Sequence, residues 1–228
     1  MSKRTEFLNG VKAEIPMLIG VLPFGMIYGA LALSAGMPPQ AAQAMSAIVF
    51  AGSSQFVTTQ MVGAPALVII LTIAIVNLRH LLYSASVAPY LQGLKPAWKW
   101  LLAYLLTDEA YAPTILRYEQ GKNEPETTDH KHWFFLGAGL TLWTGWQTST
   151  AIGIYLGTVI PATWSLDFTL AVTFIALVVP FLRDRAGVIA ALTAGVVAVA
   201  TVGMPLKLGL VSAALAGIAA GMLAERKR

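Results

Sequence analysis

The feature that most constrains this chain is a run of 64 residues, Ile15 to Leu78, that contains no Asp, Glu, Lys, Arg or His. A second uncharged run extends from Trp133 to Leu166. A helix crosses a bilayer core about 30 Å thick with about 20 apolar residues, so the first run is long enough for about three passes. Only 11% of the residues are charged, whereas about 25% is typical of soluble domains. The chain is therefore predicted to be an all-α, polytopic integral membrane helical bundle.

Eight hydrophobic segments are predicted along the chain, with seven as the alternative count. In order, they are Ile15–Ala35, Ala41–Gly63, Ala66–Ala88, Ala97–Leu116, Trp133–Ile160, Phe168–Leu182, Gly187–Val202 and Leu206–Ala224. The sixth and seventh are short, which is typical of half-helices, of a re-entrant hairpin or of spans with little tilt. A polar cytoplasmic loop, 117–132, is predicted to link two halves, 1–116 and 133–228, of a single membrane domain. A weak likeness between the halves indicates an internal repeat, either parallel or inverted.

Lysine and arginine are distributed unevenly between alternate loops. With eight passes and a cytoplasmic N-terminus, 11 of the 15 lie inside, 3 lie outside and Arg79 lies within a segment. This bias predicts that both termini are cytoplasmic. The net charge of +4 is therefore assigned to cytoplasmic loops and not to nucleic acid binding. The chain has no cysteine, and His130 and His132 lack a clear third ligand, so no metal site and no cofactor are predicted.

Four ionisable residues lie mid-segment, away from the segment ends: Arg79, His80, Asp108 and Glu109. A charged Arg, Lys or Asp at a helix centre costs about 2.5 to 3.5 kcal/mol on insertion scales, so these groups must face protein or water. One interpretation is an ion or substrate pathway, with His80, Asp108 and Glu109 as candidates for proton coupling. The other is a buried Arg–Asp pair that only fixes helix register. For His80, a packing hydrogen bond is the alternative.

Helical spacing groups polar residues into three stripes, and two stripes that face each other would line a polar cavity. The first stripe is Arg79, Tyr83 and Ser86, the second is Asn77, His80 and Ser84, and the third is Tyr104, Asp108 and Tyr111.

A different polar cluster, Gly52-Ser53-Ser54-Gln55 followed by Thr58, Thr59 and Gln60, lies in the second segment. Polar residues with a glycine at this depth predict a broken helix whose free backbone groups bind a zwitterion. Hydrogen bonding between packed helices is the alternative.

The first segment contains two features that bend or pack a helix. Pro23 is expected to kink it, and Pro23 with Gly25 is a candidate gate. Gly25 and Gly29 have the G-x-x-x-G spacing, for which close helix packing is the favoured explanation. The chain lacks a Walker A motif, an H-E-x-x-H zinc motif and a G-x-S-x-G nucleophile motif, so these ATPase and hydrolase classes have no support.

Three motifs in order, FAGSSQF at 50–56, NLRHLLYS at 77–84 and LTDEAY at 106–111, resemble the AzlC family, the large subunit of bacterial branched-chain amino acid exporters. Pro23-Phe24-Gly25 with Gly29 agrees with the same family. The resemblance implies an inner-membrane permease that exports leucine, isoleucine and valine, and sometimes methionine or analogues. It also implies a small hydrophobic partner of the AzlD type, encoded separately.

This resemblance agrees with what a zwitterion with an aliphatic tail requires, namely an anion-binding group, a cation-binding group and an apolar pocket. Arg79 is the candidate for the substrate carboxylate, and Asp108 or Glu109 for the ammonium group. The tail-pocket candidates are Phe24, Phe50, Phe56 and Tyr111, and the remaining substrate-binding candidates are Gly52, Ser53, Ser54, Gln55 and Asn77.

Three rival functions remain open at this stage. The first is export of another small amino acid or amine, which competition binding separates. The second is an intramembrane enzyme that uses Asp108, Glu109 and His80 as acid–base groups, which predicts chemical turnover without a gradient. The third is an assembly subunit, which predicts that charge-pair swaps are tolerated. Besides the bilayer and the amino acid, a homo-oligomer is left open as a partner.

Overall fold

The described residues of the computed structural model, 2–120, 130–159, 182, 184–204 and 208–225, form ten α-helices and no strand. The predicted all-α class is therefore confirmed. The helices are α1 (Lys3–Ser34), α2 (Pro39–Val49), α3 (Gly52–Gln60), α4 (Ala66–Val76), α5 (Arg79–Leu91), α6 (Pro96–Tyr104), α7 (Asp108–Gln120), α8 (Lys131–Val159), α9 (Arg185–Ala200) and α10 (Leu208–Glu225).

Three consecutive predicted segments are each divided into two short helices: α2 with α3, α4 with α5, and α6 with α7. The break predicted in the second segment is confirmed at residues 50–51. The breaks at 77–78 and 105–107 were not predicted, because counting apolar residues does not detect a two- or three-residue interruption. Within the described residues, α1 alone is long and apolar enough to cross a membrane. The α4–α5 pair, bent by 45°, adds a second if it is counted as one span.

Helix α1 begins earlier than predicted. Its N-cap is Ser2, whose hydroxyl accepts a hydrogen bond from the Thr5 backbone N–H at 3.2 Å. Both Pro16 and Pro23 lie inside the helix, which remains continuous to Ser34. The residues before the first predicted segment, 3–14, are thus the first three turns of a 32-residue helix.

Helices α1 and α8 form a closely packed pair, and glycines determine the spacing between them. A Cβ atom added at Gly10 would lie 2.1 Å from the Phe134 carbonyl oxygen, and one added at Gly153 would lie 2.0 Å from that of Met26. The residue numbers of the contacting pairs increase together along both helices, so α1 and α8 run parallel. Gly25 and Gly29 also face α8, which confirms the packing explanation for this G-x-x-x-G spacing.

Helices α1 and α7 are connected by a buried ion pair. Glu6 is fully buried, and its two carboxylate oxygens accept hydrogen bonds from Arg117 Nη2 at 2.6 Å and Nε at 3.3 Å. Two parallel hydrogen bonds of this kind fix both side chains in one orientation.

We expect Glu6→Gln to lower the free energy of unfolding by about 3 to 5 kcal/mol, because it removes the fully buried carboxylate of a doubly hydrogen-bonded ion pair. Thermal melting of the purified protein in detergent measures the effect. Glu119→Gln is the matched control, since Glu119 is exposed on the same helix as Arg117. Equal melting temperatures for Glu6→Gln and the wild type would contradict this role of the pair.

By its internal contacts, the chain divides into two compact units: residues 1–60 with 73–160, and residues 61–72 with 161–228. In the second unit, α9 and α10 pack closely, since a Cβ at Gly217 would lie 2.9 Å from the Ala194 side chain. All but the last residue of the predicted segment Phe168–Leu182 lies outside the described residues, as does most of the predicted linker. The two halves and their internal repeat stay predictions.

Candidate functional site

Each of the three helix breaks carries one of the sequence motifs. The residues between α2 and α3 are Phe50-Ala51, those between α4 and α5 are Asn77-Leu78, and those between α6 and α7 are Leu105-Leu106-Thr107. The polar and charged residues singled out from the sequence therefore lie in or directly after a break. At such positions the first backbone N–H groups of the following helix have no partner within that helix.

The break between α2 and α3 is produced by a left-handed residue. Phe50 has φ 43° and ψ 47°, a conformation that costs an L-residue other than glycine about 1 to 2 kcal/mol. Its ring is buried and lies 5.9 Å, centroid to centroid, from the ring of Tyr104 on α6. This packing explains how the strained conformation is retained. The consequence is that α3 restarts at Gly52, with the Gln55 backbone N–H donating to the Ala51 carbonyl at 3.0 Å.

Arg79 connects the three breaks. It is the first residue of α5, and its guanidinium forms an ion pair with Asp108, the first residue of α7. Arg79 Nη2 also donates a hydrogen bond to Ser53 Oγ, in the first turn of α3, at 3.0 Å. The N-terminal ends of three half-helices therefore meet at one guanidinium. The positive ends of their dipoles favour an anionic group there.

The Arg79–Asp108 pair retains unused hydrogen-bonding capacity. Its side chains are 31% and 32% exposed, so the pair is only partly enclosed by protein. Arg79 Nε and Asp108 Oδ1 are buried, and within the described part of the chain neither has a hydrogen-bond partner. The pair thus has one unused donor and one unused acceptor. A ligand with a carboxylate at one end and an ammonium group near it satisfies both.

A second hydrogen bond joins two of the breaks beside this pair. Ser54 Oγ donates to Asn77 Oδ1 at 2.7 Å, and Ser54 is fully buried. The Asn77 backbone carbonyl accepts from His80 Nδ1 at 3.3 Å. This bond is local to the start of α5, so both alternatives for His80, a packing hydrogen bond and a role in coupling, stay predictions.

We expect Ser54→Ala to weaken transport several-fold and to cost about 1 kcal/mol of stability, since Asn77 loses a partner while Arg79 and Asp108 remain paired. Initial transport rates and thermal melting measure the two effects. Ser84→Ala on α5 is the control, because Ser84 is exposed. A Ser54→Ala protein with unchanged rate and melting temperature would show that this bond does not position the breaks.

Aromatic and hydroxyl groups connect α5 to α7 next to the ion pair. The rings of Tyr83 and Tyr111 stack with centroids 4.6 Å apart, and Tyr111 donates its hydroxyl to Ser86 Oγ at 2.9 Å. The predicted facing of polar stripes is therefore present for these residues. Tyr83 and Ser86 extend from the Arg79 face of α5, as the spacing indicated.

Two of the predicted stripes are wrong as continuous helical faces. Tyr104 ends α6 whereas Asp108 begins α7, so these two residues do not share a helix. Asn77 likewise lies in the break before α5, while His80 lies within α5. Periodicity assumed one uninterrupted helix in each case, and the breaks change the register. Tyr104 instead accepts a hydrogen bond from Trp143 Nε1 on α8 at 2.6 Å.

Several predicted substrate-binding residues are packed against neighbouring helices. Gln55 is fully buried and its Oε1 accepts from Trp146 Nε1 on α8 at 3.1 Å. Phe56 is 1% exposed and lies edge-on to Tyr28, with centroids 6.1 Å apart. A Cβ added at Gly52 would lie 3.2 Å from the Trp146 ring. These residues hold α3 against α1 and α8.

The remaining predicted site residues lie on α1 and α7. Pro23 is exposed, Phe24 is half-buried, and Gly25 is buried with its Cα facing Ser149 of α8. The gate assigned to Pro23 and Gly25 stays a prediction. Glu109 is half-buried directly after Asp108.

The sequence analysis did not identify Glu14, Thr107 or Trp146. Glu14 was placed outside the membrane because the first segment was drawn from Ile15. A spacing of four residues relates Glu14 to Gly10 and Glu6, and this spacing is the signal that indicates one buried helix face. Thr107 is a helix-start residue, since its Oγ1 accepts from the Ala110 backbone N–H at 3.4 Å. For Trp146, the only signal in the sequence is its spacing within an apolar run.

Comparisons with known proteins agree with the motif assignment. A family model described as AzlC protein matches residues 16–160. An uncharacterized membrane protein of Archaeoglobus fulgidus is 31% identical over 95% of this chain and 94% of its own length. Inner membrane protein YgaZ of Escherichia coli is 28% identical over 95% of this chain and 88% of its own.

A third relative has a functional name. The branched-chain amino acid transport protein AzlC of Bacillus subtilis is 31% identical over 78% of this chain and 70% of its own length. No solved structure matches the chain significantly. The family model covers more than half of the chain and includes all three broken segments together with their motifs. The chain therefore belongs to the AzlC family of membrane proteins.

Proposed function

We propose that this protein is a secondary transporter that exports branched-chain amino acids across the bacterial inner membrane. The observation that carries the proposal is the Arg79–Asp108 pair, partly exposed at the junction of three helix breaks. Intramembrane charges of this kind mark substrate or ion pathways far more often than they fill a structural role. Broken helices that meet at such a point are the usual architecture of substrate sites in secondary transporters.

The unused atoms of the pair define how an amino acid binds. Its carboxylate accepts from Arg79 Nε, at a point that the positive N-terminal end of α3 also favours for an anion. Its ammonium group donates to Asp108 Oδ1. Both ends of the substrate thereby replace the hydrogen bonds that these two atoms lack among the described residues.

The side chain of the substrate requires an apolar surface next to these charges. The Tyr83–Tyr111 stack joins α5 to α7, the two helices that carry the ion pair. Further aromatic rings are those of Phe24 on α1 and of Phe50 at the α2–α3 break. A branched aliphatic tail gains about 0.8 kcal/mol for each methylene buried there. Leucine, isoleucine and valine satisfy this requirement, and methionine is a further candidate.

The path of the chain supports a multi-pass topology. Since α1 and α8 run parallel, an odd number of passes lies between them, and the three broken pairs provide three. The start of α1 and the predicted linker before α8 are then on the same side. The excess of Lys and Arg on that side makes it the cytoplasm.

Export, proton coupling and a small AzlD-type partner follow from the family resemblance. The Bacillus subtilis relative is named as a transport protein, which supports transport over intramembrane catalysis. The exposed apolar residues of α4, including Leu67, Ile70 and Leu71, suit contact with lipid or with such a partner.

Counterflow of labelled leucine in proteoliposomes tests this function. Vesicles loaded with unlabelled leucine are expected to accumulate label transiently, and external isoleucine or valine should compete while alanine or a polyamine should not. The assay is performed with and without the separately encoded small subunit. Absence of counterflow in both preparations would reject amino acid transport, and preferential competition by another amino acid or amine would reassign the substrate.

A further inference from the structure

A second acidic site lies beside the substrate site, and its central residue is Glu14 of α1. Glu14 is fully buried, and neither of its carboxylate oxygens has a hydrogen-bond partner among the residues that the structure describes. A charged carboxylate in this position bears the whole cost of desolvation. Binding of a single proton neutralises the carboxylate and removes that cost, so the chemistry of this site favours a proton as its ligand.

The register of α1 against α7 places Glu109 opposite Glu14. The Glu6–Arg117 ion pair fixes one level of contact between the helices. Glu14 lies eight residues after Glu6 on α1, and Glu109 lies eight residues before Arg117 on α7. Because the two helices are antiparallel, both glutamates lie at the same level, about 12 Å from the ion pair. The electrostatic interaction between the two carboxyl groups agrees with this register.

No other charge compensates Glu14 from the described helices packed around it. Helices α2 and α3 contain no titratable residue. On α8, Lys131 interacts with Glu6 and Arg117 at the other level, and His132 with His130 and Lys3. On α7, Arg117 is paired with Glu6. Two facing carboxyl groups without a cation between them cannot both be ionised at low cost, so one proton on the pair is favoured.

Glu109 connects this pair to the substrate site. It follows Asp108 directly in the chain and interacts electrostatically with both Asp108 and Arg79. A negative charge on Glu109 therefore strengthens the hold of Asp108 on a substrate ammonium group, whereas a proton on it weakens that hold. Protonation of the pair and binding of the amino acid oppose each other.

We propose that Glu14 and Glu109 form the proton-binding site that couples amino acid export to proton entry, an inference that rests on the proposed transport function. The bound proton leaves to water on the cytoplasmic side as substrate binds, and a proton from outside displaces the substrate there. In the first step a carboxyl O–H bond breaks and its proton passes to water, and in the second step an O–H bond forms again on the same pair as water gives up a proton. Glu14 acts by holding the proton next to Glu109 and does not touch the substrate.

Glu14→Gln separates coupling from transport. In proteoliposomes with equal pH on both sides, leucine counterflow by Glu14→Gln is expected within about twofold of wild type, because Arg79 and Asp108 are unchanged. With an acidic interior, the wild type accumulates leucine against its gradient, whereas Glu14→Gln equilibrates it only. Thermal melting of the variant near the wild-type temperature shows that it is folded.

The outcomes are distinct. The proposal is overturned if folded Glu14→Gln accumulates leucine to the wild-type level. It is also overturned if this variant loses both counterflow and accumulation. Counterflow without pH-driven accumulation in the wild type leaves the transport function standing and rejects this site. Absence of wild-type counterflow rejects the function and the site together. If Glu14→Gln does not fold, Glu14→Asp replaces it: a shift in the pH of half-maximal accumulation supports the site, and an unshifted profile overturns it.

Discussion

Arg79→Ala is expected to lower the initial rate of leucine transport by about 30-fold or more. The substitution removes the donor for the substrate carboxylate and leaves the Asp108 carboxylate without its counter-charge. Truncating one member of such a hydrogen-bonded charge pair costs about 2 to 5 kcal/mol in binding systems, which corresponds to a factor of roughly 30 to several thousand. Asp108→Asn is expected to have a comparable effect through the ammonium group. Initial rates in proteoliposomes measure both.

Two further variants distinguish a substrate-binding pair from a structural one. Arg79→Lys keeps the charge but loses the planar donor set, so we expect it to retain folding and lose most transport. The exchange of the two residues, Arg79→Asp with Asp108→Arg, restores an ion pair with reversed polarity. A protein that folds but does not transport agrees with our account. Full transport by the exchanged pair would mean that the charges only fix helix register.

Gly153→Ala is expected to destabilise the protein by about 3 kcal/mol or more, at the upper end of the range for overpacking. The added methyl group would lie 2.0 Å from the Met26 carbonyl oxygen and 2.6 Å from its carbon. Because these are backbone atoms of α1, no side-chain rotation relieves the clash, and the two helices must separate. Thermal melting and the yield of folded protein in detergent measure the loss.

Gly20→Ala on α1 is the matched control, since a Cβ there meets nothing within 4 Å. It is expected to be neutral or slightly stabilising, because alanine is the better helix former. If Gly153→Ala melts at the temperature of Gly20→Ala, close packing of α1 on α8 does not hold this unit together.

The charged residues of the site could be predicted from the sequence because a charge in an apolar run is conspicuous. Arg79 and Asp108, predicted as a pair by this reasoning, do form one. The break at Phe50 was also predictable, since Gly52 and a run of polar residues follow it. These features depend on local chemistry, which the sequence displays directly.

The rest depends on contacts between distant residues. Two breaks were missed because nothing in the composition of Asn77-Leu78 or Leu105-Leu106 opposes a helix, and neighbouring helices decide the local conformation there. Gln55 was predicted to bind substrate but lies against Trp146, 91 positions away. Glu14 was overlooked because the apolar run was used to define the start of the span.

The central claim is that Arg79 and Asp108 hold the two ends of one amino acid, and ligand binding to the purified protein tests it most directly. Displacement of labelled leucine is measured with leucine, with leucinamide, which lacks the carboxylate, and with 4-methylpentanoate, which lacks the ammonium group. We predict that each analogue competes at least about tenfold more weakly than leucine, a difference of 1.4 kcal/mol. Displacement by either analogue as effective as that by leucine would contradict the account.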